Sequence, residues 1–161
     1  MTDLLARWRR SVDRAAAELA DVPDREARRR PALGKWSPKE IVGHLVDSAS
    51  HNHRRFVEAQ GRADLVFPGY QQDVWVQTQR YQAADWPDLV RLWSAFNHHL
   101  IRVVAEMPAE ALSMPRAVHN LDELAWRPVS RAEPVTLGWF VEDYVGHMEH
   151  HLAQVRQRLG T

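Results

Sequence analysis

The sequence predicts an all-α protein, a four-helix bundle with long crossover connections. Three observations carry that expectation. Four segments repeat their apolar residues at spacings of three and four, no segment sustains the apolar–polar alternation of a strand, and two of the connecting stretches are too long for simple turns. The 161 residues suit one domain, 1–161, with room for a real hydrophobic core.

The first predicted helix runs from Thr2 to Ala20, with Leu4, Leu5, Trp8, Val12, Ala15, Ala16 and Leu19 on one stripe and Pro23 closing it off. The second opens at Ser37-Pro38-Lys39-Glu40. Ser37 can cap a free backbone N–H, Pro38 suits the first turn, and Glu40 can reach back to complete a capping box. Ile41, Leu45, Ser48, Asn52 and Phe56 follow on one face, and the helix is expected to end near Gly61. The third spans Trp86 to Met107 and stops at Pro108, with Leu89, Trp93, Phe96, Leu100, Val103, Val104 and Met107 facing inward. The fourth takes Thr136 as N-cap and runs to Leu159 before Gly160. Its apolar seam through Leu137, Val141, Tyr144, Met148, Leu152, Val155 and Leu159 is close to a heptad. Of the two long connections, 62–85 holds the turn Phe67-Pro68-Gly69-Tyr70 and a short helix around Gln72–Gln79. The other, 109–135, contains prolines and is expected to be irregular or briefly extended.

Composition narrows the function. Acidic and basic residues match at 21 each, so the surplus of positive charge that neutralises phosphates is absent and nucleic acid is not an expected partner. There is no cysteine, which excludes disulfides, thiolate metal sites and cysteine nucleophiles. The charged N-terminal stretch does not read as a signal peptide and no segment is apolar enough to span a membrane, so a cytoplasmic protein is expected.

The chemistry-bearing residues are histidines. His147 and His151 stand four apart, so their imidazoles project from one face of the fourth helix about one turn, ~5.4 Å, from each other, and can reach a common metal ion. Such pairs also occur on histidine-rich surface helices, and no Glu follows His147 in the manner of zinc metalloproteases, so a third ligand must come from elsewhere. His44, on the core-facing stripe of the second helix, is the first candidate; its plainer reading is a hydrogen-bonded core histidine. His51, two turns on, is a rival. His150 is expected to face solvent, His53, His98 and His99 fall off the apolar stripes and read as surface residues, and nothing is inferred for His119. Asp47 and Asp143, one turn from His44 and His147, read first as surface charges and second as acceptors orienting the imidazoles. Asn52 can touch substrate or satisfy a buried polar group, and Tyr70, Trp75 and Tyr81 can wall a pocket or pack a loop onto the bundle.

Lys35-Trp36-Ser37-Pro38-Lys39-Glu40-Ile41-Val42-Gly43-His44-Leu45 resembles the W-S-x-x-E-x-x-x-H-L opening of the second helix in the DinB/YfiT-like superfamily, and Asp143 to His151 resembles that family's closing H-x-x-x-H. The stretch from Trp86 to Leu100 is similar to its third helix, so the resemblance covers nearly the whole chain. It implies a bundle of up-down-down-up connectivity and a divalent metal held by three histidines, carried over to His44, His147 and His151. Zinc is the first expectation for the ion, with nickel or iron as alternatives, because imidazole ligation suits all three. It also implies a small-molecule substrate and a metal-dependent hydrolase. The alternatives are a transferase of a low-molecular-weight thiol such as bacillithiol or mycothiol, and a non-catalytic metal-binding module. Many relatives look like homodimers.

Overall fold

The computed structural model describes residues 1–160. In chain order its helices are α1 (Thr2–Ala20), α2 (Asp24–Ala27), α3 (Pro38–Ala59), α4 (Gln72–Thr78), α5 (Trp86–Ala105), α6 (Ala109–Ser113), α7 (Leu121–Leu124) and α8 (Leu137–Leu159). A 3₁₀ turn lies at Tyr81–Ala83, and two-residue strands β1 (Pro115–Arg116) and β2 (Val135–Thr136) pair antiparallel.

The four long helices pack in the ring order α1–α5–α3–α8. Their directions follow from cross-helix contacts. Trp86 Nε1 donates to Leu19 O at 3.0 Å and Trp8 Nε1 donates to Asn97 Oδ1 at 3.1 Å, so α1 and α5 run antiparallel. Lys39 Nζ donates to Ala84 O at the start of α5, and His53 meets His99 further along, so α3 and α5 are parallel. His44 faces His151 and Phe56 faces Phe140, which makes α3 and α8 antiparallel. Ser11 and Glu18 of α1 meet Glu149 and Arg156 of α8, each partner later in order, so these two are parallel. The connectivity is therefore up-down-down-up, and the parallel α3–α5 pair is what the first long connection must serve.

Local chemistry sets the helix boundaries. Ser37 Oγ accepts from Glu40 N at 3.2 Å while Glu40 Oε2 accepts from Ser37 N at 2.8 Å, a complete capping box that fixes the start of α3. Thr136 and Asp85 cap α8 and α5 more simply, each side chain accepting one backbone N–H, from Trp139 and Asp88, and Gly160 ends α8 in the left-handed conformation that favours glycine. Helices α3 and α5 stop at Ala59 and Ala105, two residues short of the expected Gly61 and Met107.

Helix α3 departs from a simple two-faced helix. Every residue from Pro38 to Ala49 is buried, because α2, α4 and the 3₁₀ turn pack on the side away from the bundle. The charges there find partners close by: Lys39 pairs with Asp24 of α2, and Glu40 with Arg30 just beyond it. Among the described residues, no helix is long and apolar enough to cross a membrane.

Candidate metal centre

His44 projects from the buried half of α3 and is fully buried; His147 and His151, one turn apart on α8, are partly buried opposite it. One ring nitrogen from each lies within 4.8 Å of the other two. The Nε2 atoms of His44 and His147 are 3.4 Å apart. Two imidazoles each about 2.0–2.1 Å from one tetrahedral ion hold their nitrogens roughly 3.3 Å apart, so the observed spacing fits a shared divalent metal.

Electrostatics agree with that donor set. Burial, with His151 beside it, pushes His44 down to about 3. His147 falls to about 3 through burial and its histidine neighbours, and burial takes His151 to about 4 against the opposing hydrogen bond that its ring donates to Gln154. All three rings are neutral at neutral pH and offer lone pairs, as metal ligands must. His151 Nδ1 lies 3.1 Å from Gln154 Oε1; in the tautomer that donates this bond, Nε2 keeps its lone pair. The Nδ1 of His44 is buried with no hydrogen-bond partner among the described residues, and the centroid of its ring lies 5.0 and 6.5 Å from those of Trp36 and Tyr70.

The rival His51 is not part of this cluster. Its ring stacks on Tyr70, centroids 4.0 Å apart and nearly parallel. His150 is exposed and bonds Gln154, as its phase on α8 requires. His53 and His99 are not simple surface residues: they face each other across α3 and α5 with Nε2 atoms 3.2 Å apart, because the two helices run side by side there. His98 is half-buried and pairs with Asp13 at 3.0 Å. His119 is buried and latches the second crossover, its ring nitrogens meeting Glu133 O and Leu121 N.

Asp47 and Asp143 follow neither sequence reading. Both are buried, and both bind a crossover rather than an imidazole. Asp47 accepts from Gln79 Nε2 at 2.5 Å and Tyr81 Oη at 2.6 Å. Asp143 accepts from the backbone N–H groups of Trp126 and Arg127 at 2.9 and 2.8 Å. A glycine precedes one histidine on each helix and seats an aromatic from the same loop. A Cβ at Gly43 would overlap the Tyr81 ring, and one at Gly146 would meet the Trp126 ring at 3.0 Å. Tyr81 thus packs its loop onto the bundle, while Tyr70 lines the cavity beside the histidines.

That cavity, of about 380 Å³, lies between α3 and α8 under the two crossovers. His147, His151, Ser48, Asn52 and Tyr144 come from the helices, Tyr70 and Gln72 from the first crossover, and Leu124 to Trp126 from the second. Asn52 Nδ2 donates to Ser48 O at 2.9 Å, so it is a satisfied buried amide at the cavity edge. The sequence reading missed Gln154, Trp126 and Arg55. Gln154 and Arg55 were detectable as polar residues on the faces of His151 and His44; nothing local marks Trp126.

Residues 6–155 match the family model of the DinB superfamily. Among solved structures, the fold is similar to that of YfiT from Bacillus subtilis, described as a probable metal-dependent hydrolase with an unusual four-helix bundle topology. The TM-score is 0.72 at 18% identity, covering 97% of this chain and 87% of that one. No protein of curated function matches the sequence.

Proposed function

The chain belongs to the DinB superfamily, and from that premise we propose that His44, His147 and His151 hold one divalent metal ion, zinc first, in an enzyme that hydrolyses a small-molecule substrate. One observation carries the reading: three ring nitrogens from two helices lie within 4.8 Å of one another. The fold it shares with a probable metal-dependent hydrolase supports it.

Three neutral imidazoles leave coordination positions for water and substrate, the donor set of catalytic rather than structural sites. When bound, such a metal supplies Lewis acidity, enough to make hydroxide from water, or thiolate from a thiol, near neutral pH. The chain's own residues do the rest. Gln154 orients the His151 ring, Trp36 and Tyr70 shield the His44 ring, and the crossovers shape the cavity for a small molecule. Burial, with the Asp47 charge adding to it, holds the Tyr70 hydroxyl well above its ordinary range, so it stays protonated as a donor.

A second reading is transfer of a low-molecular-weight thiol to an electrophile. It is favoured by the commitment of Asp47 and Asp143 to the crossovers, which leaves neither of them as a general base. A nucleophile activated by the metal alone then suffices, and with no cysteine in the chain any sulfur arrives as a cosubstrate.

The test is elemental analysis of protein purified without a histidine tag, followed by chelation and reloading with zinc, nickel or iron. Reloaded protein is assayed on ester and amide panels, and on thiol–electrophile pairs. Metal-dependent turnover of the first set supports the hydrolase, and turnover of the second alone supports the transferase. Stoichiometric metal with a raised Tm and no turnover in either leaves a metal-binding module, and no metal uptake defeats the reading.

A further inference from the structure

Arg55 lies eleven residues after His44 on α3, close to three full turns, so the two share one face of the helix with roughly 16 Å of rise between them. It lines the same cavity as His147 and His151 and is 6% exposed. Its guanidinium has two protein partners, both neutral: Nη2 donates to Pro68 O at 2.9 Å and Nη1 to Asn52 Oδ1 at 3.4 Å. The nearby carboxylates are engaged elsewhere. Glu58 pairs with Arg54 and Arg62, Glu123 faces Arg131, and Asp143 holds the Trp126–Arg127 backbone.

The chain's other deeply buried arginine shows what structural use looks like. Arg116 donates four of its five N–H groups to carbonyls, those of Ala59, Arg62, Ala111 and Met114, so all three of its nitrogens are engaged. Arg55 keeps N–H donors without an acceptor, beside open space, and carries a charge that nothing in the fold neutralises. A buried cation in that state is costly unless something completes it, and a guanidinium fork matches the paired oxygens of a carboxylate or phosphate.

We propose that Arg55 anchors an anionic oxygen group, carboxylate or phosphate, on the small-molecule substrate, and so holds the reacting end at the three histidines. The assignment rests on the functional reading above for the word substrate; the anion site itself does not. The anchor lies away from the chemistry, so its binding energy serves to position the reacting bond.

The probes are inorganic phosphate and succinate at matched ionic strength, titrated into metal-loaded and chelator-treated protein. Readouts are Tm and the NMR signal of the Arg55 side-chain N–H. One or both probes should raise the Tm and shift that signal in both forms, and their relative affinities separate phosphate from carboxylate. Arg55→Gln should weaken binding at least tenfold with metal uptake unchanged, and Arg55→Lys should fall between. The proposal is overturned if neither probe moves the wild-type signal, a measurement that needs no variant, or if Arg55→Gln responds like wild type. Anion binding through Arg55 without metal uptake would leave this site standing and defeat the metal reading; metal uptake with an unresponsive Arg55 would do the reverse.

Discussion

Gly43 and Tyr81 occupy adjoining space that neither could share with a larger neighbour: the phenol ring lies against the α3 backbone where a Cβ would stand, and its hydroxyl reaches Asp47 one turn on at 2.6 Å. The residue next to Gly43 is His44, so the first crossover is docked beside the three-histidine cluster. Gly43→Ala is expected to cost about 1–3 kcal/mol by overpacking, measured by urea denaturation. Gly61→Ala, where a Cβ meets nothing within 4 Å, should be neutral or slightly stabilising. Equal effects at the two sites would contradict the packing described.

Replacing His44, His147 or His151 with Ala should each abolish stoichiometric metal uptake while circular dichroism keeps most of the helix signal. His51→Ala and His150→Ala should retain metal, since one stacks on Tyr70 and the other faces solvent. Loss of metal in His51→Ala with uptake intact in His44→Ala would reassign the third ligand.

Asp47→Ala leaves Gln79 and Tyr81 without their acceptor and should destabilise by about 1–3 kcal/mol with metal stoichiometry intact. Were Asp47 instead an orienting partner of a ligand imidazole, metal affinity would fall about 10–100-fold. Calorimetric metal titration of the folded variant separates the two.

Acid should weaken the metal-free protein in a definite window. Burial lowers His44 and His147 to about 3 and His151 to about 4, from the ordinary 6.5. The unfolded chain therefore binds more protons between those limits, and stability falls as pH drops from 6.5 toward 3. Glu40 adds to the loss lower down. Burial alone would raise it, yet Arg30 and the Ser37 N–H hold its carboxyl at about 2, so their stabilisation disappears as pH falls from 4.5 toward 2. Metal-free His44→Gln should give a shallower Tm-versus-pH slope between pH 4 and 6.5; an unchanged slope would argue that its imidazole is not held neutral.

How much was legible depended on whether the cause was local. The capping box at Ser37, the N-cap at Thr136 and the seam of α8 are set by residues within a few positions of each other, and the helices begin where those signals stand. The His147–His151 pair is legible from its four-residue spacing, but periodicity leaves His44 and His51 as rivals; the family resemblance points to His44, and the packing of α3 on α8 brings it to the pair. Asp47 and Asp143 were misjudged because their partners arrive from crossovers 32 and 17 residues away. A carboxylate on a helix reads as a surface charge until the loop that covers it is placed. The same holds for Lys39, buried only because α2 and the 3₁₀ turn close over α3. The His53–His99 pair needed the parallel course of α3 and α5, which periodicity within either helix does not encode.

The two crossovers play different parts from the helices they join. The histidines stand on rigid α3 and α8, while the walls at Tyr70, Gln72 and Trp126 stand on connections pinned by one buried aspartate each. The cavity wall and the histidine cluster thereby stand on separable parts of the polypeptide. A loop can be exchanged between its pins, reshaping the cavity, while the spacing of the three imidazoles is inherited intact.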